Sequence, residues 1–453
     1  MTATTGTALV PWSPTAAKHG WLPGVAGLLR RTADRLRRWD MPQPPAQPAL
    51  LVDLLAAEGD DAAAAFKAGQ VLAAYAAADE AGRGAFFEAL LGHGPDRALL
   101  RRAALDFARD PSDAQLSRLQ ALADPPRQGL IRRLNAAPGG TAALVAMRAD
   151  LLRRLRARPE LGLVDADFAH VFTSWFNRGF LELRRITWAT QAAVLEKLIR
   201  YEAVHAIGGW DDLRRRLDPP DRRCFAFFHP QLPEEPLIFV EVALTREVPA
   251  AIGPILAEGC RPVAGRDATA AVFYSISNCQ AGLKGIAFGN LLIKQTVLEL
   301  KAELPGLKQF CTLSPVPGFL RWLRRELDAG QGKTALAAAD LAVLALLGAE
   351  GALECETVAA VQEPLARACA RYLVGGRGRD GKPLDPVARF HLGNGARLER
   401  VNAGADLSPH GLGQSAGVMV NYLYDPAEIG RHRDAFAAGG AVAASRRVRS
   451  LAL

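Results

Sequence analysis

"SISNCQAGLKGIAFGN", Ser275 to Asn290, decides how this chain is read. An apolar run from Ala270 to Tyr274 leads into it, and a helical run from Leu291 to Leu304 follows. Small residues sit where a strand hands over to a helix. Gln280, Gly282 and Gly285 occupy the loop, Gly289 stands one turn further on, and the helix is expected from about Phe288. The first N–H groups of a helix are unpaired and carry partial positive charge. Glycine lets backbone approach an anion without a Cβ in the way. The turn therefore has the form of a phosphate cradle. It is neither GxGxxG nor the P-loop GxxxxGK[ST], and many glycine-rich turns of this kind bind nothing.

The surroundings support a mixed sheet. "LIFVEVAL" (Leu237 to Leu244), "TAAVFYSIS" (Thr269 to Ser277), "QFCTLSP" (Gln309 to Pro315) and "VMVNYLY" (Val418 to Tyr424) are mostly apolar, as buried strands are. Helices are expected from Asp167 to about Arg184 and from Ala189 to Ala206. Residues 49 to 159 are rich in Ala, Leu and Arg and poor in β-branched residues, which favours helix. Breaks fall at His93–Asp96, Asp110–Asp113, Asp124–Pro126 and Pro138–Gly140, and Ser112 with Gln115 predicts a capping box. The expected fold class is α+β: an N-terminal all-helical bundle followed by a mixed-sheet domain. A basic leader with one amphipathic helix (Trp21 to Trp39) and the linker "MPQPPAQP" take residues 1–45. The bundle, for packing or oligomerisation, takes 46–165, and the mixed-sheet domain takes 166–453.

Composition narrows the classes. The 453 residues carry a formal charge of +8, which suits polyanionic partners. Zinc-finger spacing and RNP-like aromatics are lacking, which argues against nucleic acid. No run of 18 apolar residues suggests a membrane helix. The six cysteines form no CxxC pair and read as free thiols in a reducing cytosol. Met1 to Arg38 has a single acid, Asp34, a composition shared with mitochondrial transit peptides; without an apolar h-region it is no secretion signal.

Three further stretches carry chemistry. "TLSPVPGF" places Ser314 at a strand end, kept extended by Pro315; a helix-capping role is the plainer alternative. "RFHLGNGARLERVN" holds His391 three residues before Asn394-Gly395, a hairpin signal between two alternating runs. "GVMVNYLYD" adds Tyr422 and Tyr424, otherwise ordinary strand aromatics.

Together with "WFNRGFLELRRITW" (Trp175 to Trp188), "LEKLIRYEAVHAI" (Leu195 to Ile207), "EPLIFVEVALT" (Glu235 to Thr245), "QAGLKGI" (Gln280 to Ile286), "FHLGNGA" (Phe390 to Ala396) and "VNYLY" (Val420 to Tyr424), these stretches resemble the malonyl-CoA decarboxylase family. The resemblance covers roughly Asp167 to Asp425. It implies a catalytic domain like that of Gcn5-related N-acetyltransferases, in which a strand, a loop and a helix N-terminus hold the coenzyme A diphosphate. The implied coenzyme A residues are Ser277, Gln280, Ala281, Gly282, Leu283, Lys284, Gly285 and Asn394. The implied catalytic residues are Ser314, His391 and Tyr424.

The chemistry suits them. Loss of CO2 from malonyl-CoA leaves a thioester enolate, so the substrate is its own electron sink and neither metal nor organic cofactor is expected. The protein must position the carboxylate, stabilise the enolate oxygen and protonate carbon. His391 is assigned to proton delivery or enolate stabilisation, Ser314 to a hydrogen bond with the carboxylate or thioester oxygen, and Tyr424 to orienting either. No G-x-S-x-G elbow surrounds Ser314, so it is not read as a nucleophile. Animal members carry an acidic residue after the loop glycines; the comparable place here is Ala287. The chain ends "SLAL", not in a peroxisomal Ser-Lys-Leu. The expected protein is a cytoplasmic, bacterial-type homo-oligomer, a tetramer or dimer, acting on malonyl-CoA and releasing acetyl-CoA. An acyl-CoA-dependent N-acyltransferase and a non-catalytic acyl-CoA sensor are the rivals.

Overall fold

The computed structural model describes residues 47–56, 61–286, 289–329, 334–347 and 355–453. The leader helix, the transit-peptide reading, Ala287 and the linker up to residue 46 lie outside them. Gln47–Leu55 opens a succession of helices that includes Asp61–Ala77, Glu80–Gly92, Gly140–Arg154 and Gly162–Trp175. Ser112 stands at the start of the Asp113–Ala123 helix, but its hydroxyl donates to Asp110 Oδ2 (3.1 Å) and the Gln115 Oε1 atom has no hydrogen-bond partner. The expected capping box is not formed: the Ser112 oxygen accepts no helix N–H.

An eight-stranded sheet follows. Its strands are β1 (Glu182–Ile186), β2 (Arg222–Phe228), β3 (Ile238–Thr245), β4 (Ala270–Asn278), β5 (Gln309–Thr312), β6 (Ser314–Pro315), β7 (Arg397–Asn402) and β8 (Met419–Leu423). The order is β1-β2-β3-β4-β5-β8-β6, with β7 also on β8. Every pair is antiparallel except β4–β5. The α+β expectation holds.

Two expectations fail locally. The helix expected to reach Arg184 ends at Trp175, because Asn177 turns the chain: its Oδ1 accepts the Gly179 N–H at 2.8 Å. The residues beyond it form β1, an edge strand paired to β2. Asn394-Gly395 is no hairpin turn either. It ends the helix Pro386–Gly393, whose last turn carries His391.

One apolar core runs from Leu50 and Phe86 in the helical region, through Phe168 and Phe172, to Phe273, Leu292 and Tyr422 around the sheet. The helical region is thus packed continuously against the domain that carries the site.

Candidate active site

The parallel pair β4–β5 builds a fork. Its pairing runs from Ala270↔Gln309 to Phe273↔Thr312 and then stops, while β4 continues to Asn278. Beyond Thr312 the chain turns to pair β6 with β8, Ser314 opposite Val420. A register shift between β3 and β4 inserts Tyr274 as an extra residue at the fork. A cavity of about 280 Å³ opens there, lined by β4, by Ser314 and Pro315, and by Pro386, Val387, Phe390 and His391.

His391 reaches the fork because its helix has a defined start and stop. Asp385 caps it by accepting the Ala388 N–H (2.9 Å), and Pro386 holds the first helical position. At the other end the Gly395 N–H donates to the Leu392 carbonyl and the Ala396 N–H to the His391 carbonyl, both at 3.0 Å. With Gly395 at φ +84°, this is a Schellman stop.

The three side chains assigned to catalysis meet. Ser314 Oγ lies 3.1 Å from His391 Nε2, and His391 Nδ1 lies 2.7 Å from the Tyr424 hydroxyl. Ser314 also donates to Thr312 Oγ1 (2.8 Å), which accepts the Tyr422 N–H (3.2 Å). The imidazole stacks on the Tyr422 ring, centroids 4.6 Å apart. Burial pushes the His391 imidazole down to about 3, so the neutral ring is the resident form. Burial likewise pushes the Tyr424 phenol far up, partly opposed by the neighbouring Asn394 amide. A Tyr424 hydroxyl that donates to Nδ1 leaves the ring proton on Nε2, facing Ser314.

The residues assigned to coenzyme A divide. Lys284, Gly285 and Ala281 are exposed on the turn, and Gly285 has φ +84°. Gly282 is needed for a different contact from the one the phosphate argument supposes. A Cβ there would lie 1.9 Å from the Val145 carbonyl oxygen of the Gly140–Arg154 helix. From the same helix, Arg148 donates to the carbonyls of Gly282 (2.7 Å) and Lys284 (3.0 Å), and its Nε pairs with Asp165. Leu283 is buried in the core beside them. Gln280 donates to the Pro236 carbonyl (3.2 Å). Ser277 points away from the fork: its hydroxyl bonds Glu202 and accepts the Ala203 N–H. Strand alternation places Ile276 and Asn278, not Ser277, on the cavity wall. Asn394 is buried beside Tyr424.

Sequence reading passed over Thr312 and Asp385, and named Tyr422 only as an ordinary strand aromatic. Asp385-Pro386 was a helix-start signal available in the chain. Nothing local marked Thr312 or the Tyr422 ring, since their roles come from cross-strand neighbours.

Both halves of the chain match families of known proteins. Residues 93–176 match the malonyl-CoA decarboxylase N-terminal domain and residues 179–453 the C-terminal domain. The crystal structure of malonyl-CoA decarboxylase from Rhodopseudomonas palustris superposes with a TM-score of 0.83 at 52% sequence identity, covering 90% of this chain and 99% of that one. That from Agrobacterium vitis gives 0.84 at 48% identity, covering 89% and 99%. The mitochondrial malonyl-CoA decarboxylase of the goose Anser anser anser is 38% identical over 66% of this chain and 64% of its own length. The chain thus spans a little under two thirds of that relative. With both domain families matched in order, the chain belongs to the malonyl-CoA decarboxylase family.

Proposed function

We propose that the protein converts malonyl-CoA to acetyl-CoA and CO2 at the Ser314–His391 pair. One observation carries the reading: among the described residues, none lining the fork cavity bears a formal charge at neutral pH. A malonyl carboxylate drawn in there leaves water and meets only neutral donors, which favours its loss as uncharged CO2. The C–C bond breaks, its electron pair enters the thioester carbonyl as an enolate, and one proton from solvent forms the new C–H bond. Ser314 turns its one hydroxyl proton from Thr312 to a substrate oxygen, and the neutral His391 N–H backs it and relays the proton. Tyr424 fixes the imidazole tautomer. The thioester is the electron sink, so the reaction calls for no metal or organic cofactor.

In this reading the coenzyme A diphosphate rests on the exposed backbone of the 280–285 turn, with Lys284 beside it. Gly282 and Leu283 shape that turn, Ser277 acts through Glu202, and Asn394 acts through Tyr424. Among the described residues no helix is long and apolar enough to cross a membrane. We assign the protein to the cytoplasm. We also assign it a homo-oligomeric state, which light scattering would count.

The test is CO2 release from malonyl-CoA by the purified chain, with Ser314→Ala and His391→Ala beside it. Equal CO2 and acetyl-CoA are expected, with both variants slowed roughly 100-fold or more. Binding of malonyl-CoA without CO2 release would overturn the proposal and point to an acyltransferase or a sensor.

A further inference from the structure

Asp385 is a carboxylate at 1% exposure. A helix cap does not require that. Asp79 and Asp96 also cap helices, but they are exposed and serve only N–H groups of their own helices. Asp385 serves two elements. Its Oδ1 accepts the Ala388 N–H (2.9 Å), one turn before His391, and its Oδ2 accepts the Gly318 N–H (3.4 Å). Gly318 follows Ser314 through Pro315-Val316-Pro317, a segment whose two prolines leave little backbone freedom. Gly318 is also packed against Tyr372: a Cβ there would lie 2.3 Å from the Tyr372 hydroxyl and 3.8 Å from Asp385 Oδ2. Ser314 and His391 are 77 residues apart in sequence. Asp385 is a direct joint between the segments that hold them.

We propose that Asp385 is a positioning residue: by holding the Ser314 segment and the His391 helix at once, it sets the Ser314–His391 distance. The inference rests on the reading of that pair as catalytic. Only a carboxylate supplies two equivalent acceptors here. Asparagine keeps one oxygen for the cap and turns an N–H₂ toward Gly318, and serine caps with a single oxygen.

The test uses Asp385→Asn and Asp385→Ser in the full chain, with kcat, KM for malonyl-CoA and thermal melting measured. Both variants keep the cap on Ala388, so they are expected to stay folded. Both are expected to lose kcat by about 10-fold or more while KM stays within about 3-fold, the pattern of a misplaced catalytic pair. A folded variant with kcat within about 2-fold of wild type overturns the proposal. So does a raised KM at intact kcat, which would make Asp385 a wall of the binding cavity, and so does failure of both variants to fold, which would make it purely structural. Ser314→Ala and His391→Ala run alongside. If those two retain kcat, the catalytic pair itself is wrong; if they lose it while Asp385→Asn does not, only the joint is wrong.

Discussion

His391 shows how much a residue's chemistry depends on its surroundings. A free imidazole titrates near 6.5, whereas burial holds this one at about 3. Between those two values the unfolded chain binds the proton and the folded one does not. The folded state therefore loses stability as pH falls through that window, by at most about 1.4 kcal/mol per pH unit. His391→Asn removes this term. The urea midpoint of the wild type should drop more between pH 7 and pH 5 than that of the variant; equal drops would mean that His391 meets solvent. Tyr424→Phe tests the tautomer. Without its hydroxyl 2.7 Å from Nδ1, the ring proton is free to sit on either nitrogen. An expected loss of about 10-fold in kcat at near-constant KM would fit, and an unchanged kcat would remove Tyr424 from the mechanism.

The elements that hold these residues follow from short-range signals of unequal clarity. Asn-Gly marks both hairpin turns and helix stops, because both need a residue at positive φ. What chose the stop is the start: Asp385-Pro386 opens a helix whose end falls on Gly395. Gly395 is also fixed by contact, since a Cβ would lie 2.2 Å from the Ile429 carbonyl oxygen. Gly395→Ala should cost about 1–3 kcal/mol from backbone strain alone, read as a shift in urea midpoint, and kcat should fall with it as the His391 helix is displaced. A change under about 0.5 kcal/mol would show that the helix end tolerates another conformation. The edge strand β1, "ELRRI", had no legible pattern: its strand character comes from pairing with β2, residue for residue from Glu182↔Phe228 to Ile186↔Cys224.

Over the whole molecule, the helical region packs directly against the 280–285 turn. Arg148 is buried and holds two turn carbonyls, at Gly282 and Lys284, while the Val145 carbonyl fills the space a side chain at 282 would need. Arg148→Gln should therefore raise KM for malonyl-CoA by about 10-fold with kcat largely kept, because the Ser314–His391 pair is held elsewhere. An unchanged KM would show that the turn keeps its shape without the helical region, or that the coenzyme does not rest on it.

Local chemistry was legible in the order of the residues alone. Apolar runs marked four of the strands, Ala- and Leu-rich stretches marked the helical region, and Ser314, His391 and Tyr424 stood out within ordered motifs. Whatever needs two distant segments at once emerged with packing. The fork exists because β4 and β5 part after Phe273 and Thr312. Ser277 faces Glu202 because of strand alternation, and Gly282 answers to Arg148, 134 residues upstream. Side-chain type and spacing are properties of the chain, whereas burial, pairing and close approach are properties of the packed molecule, and those hold His391 neutral and set it beside Ser314.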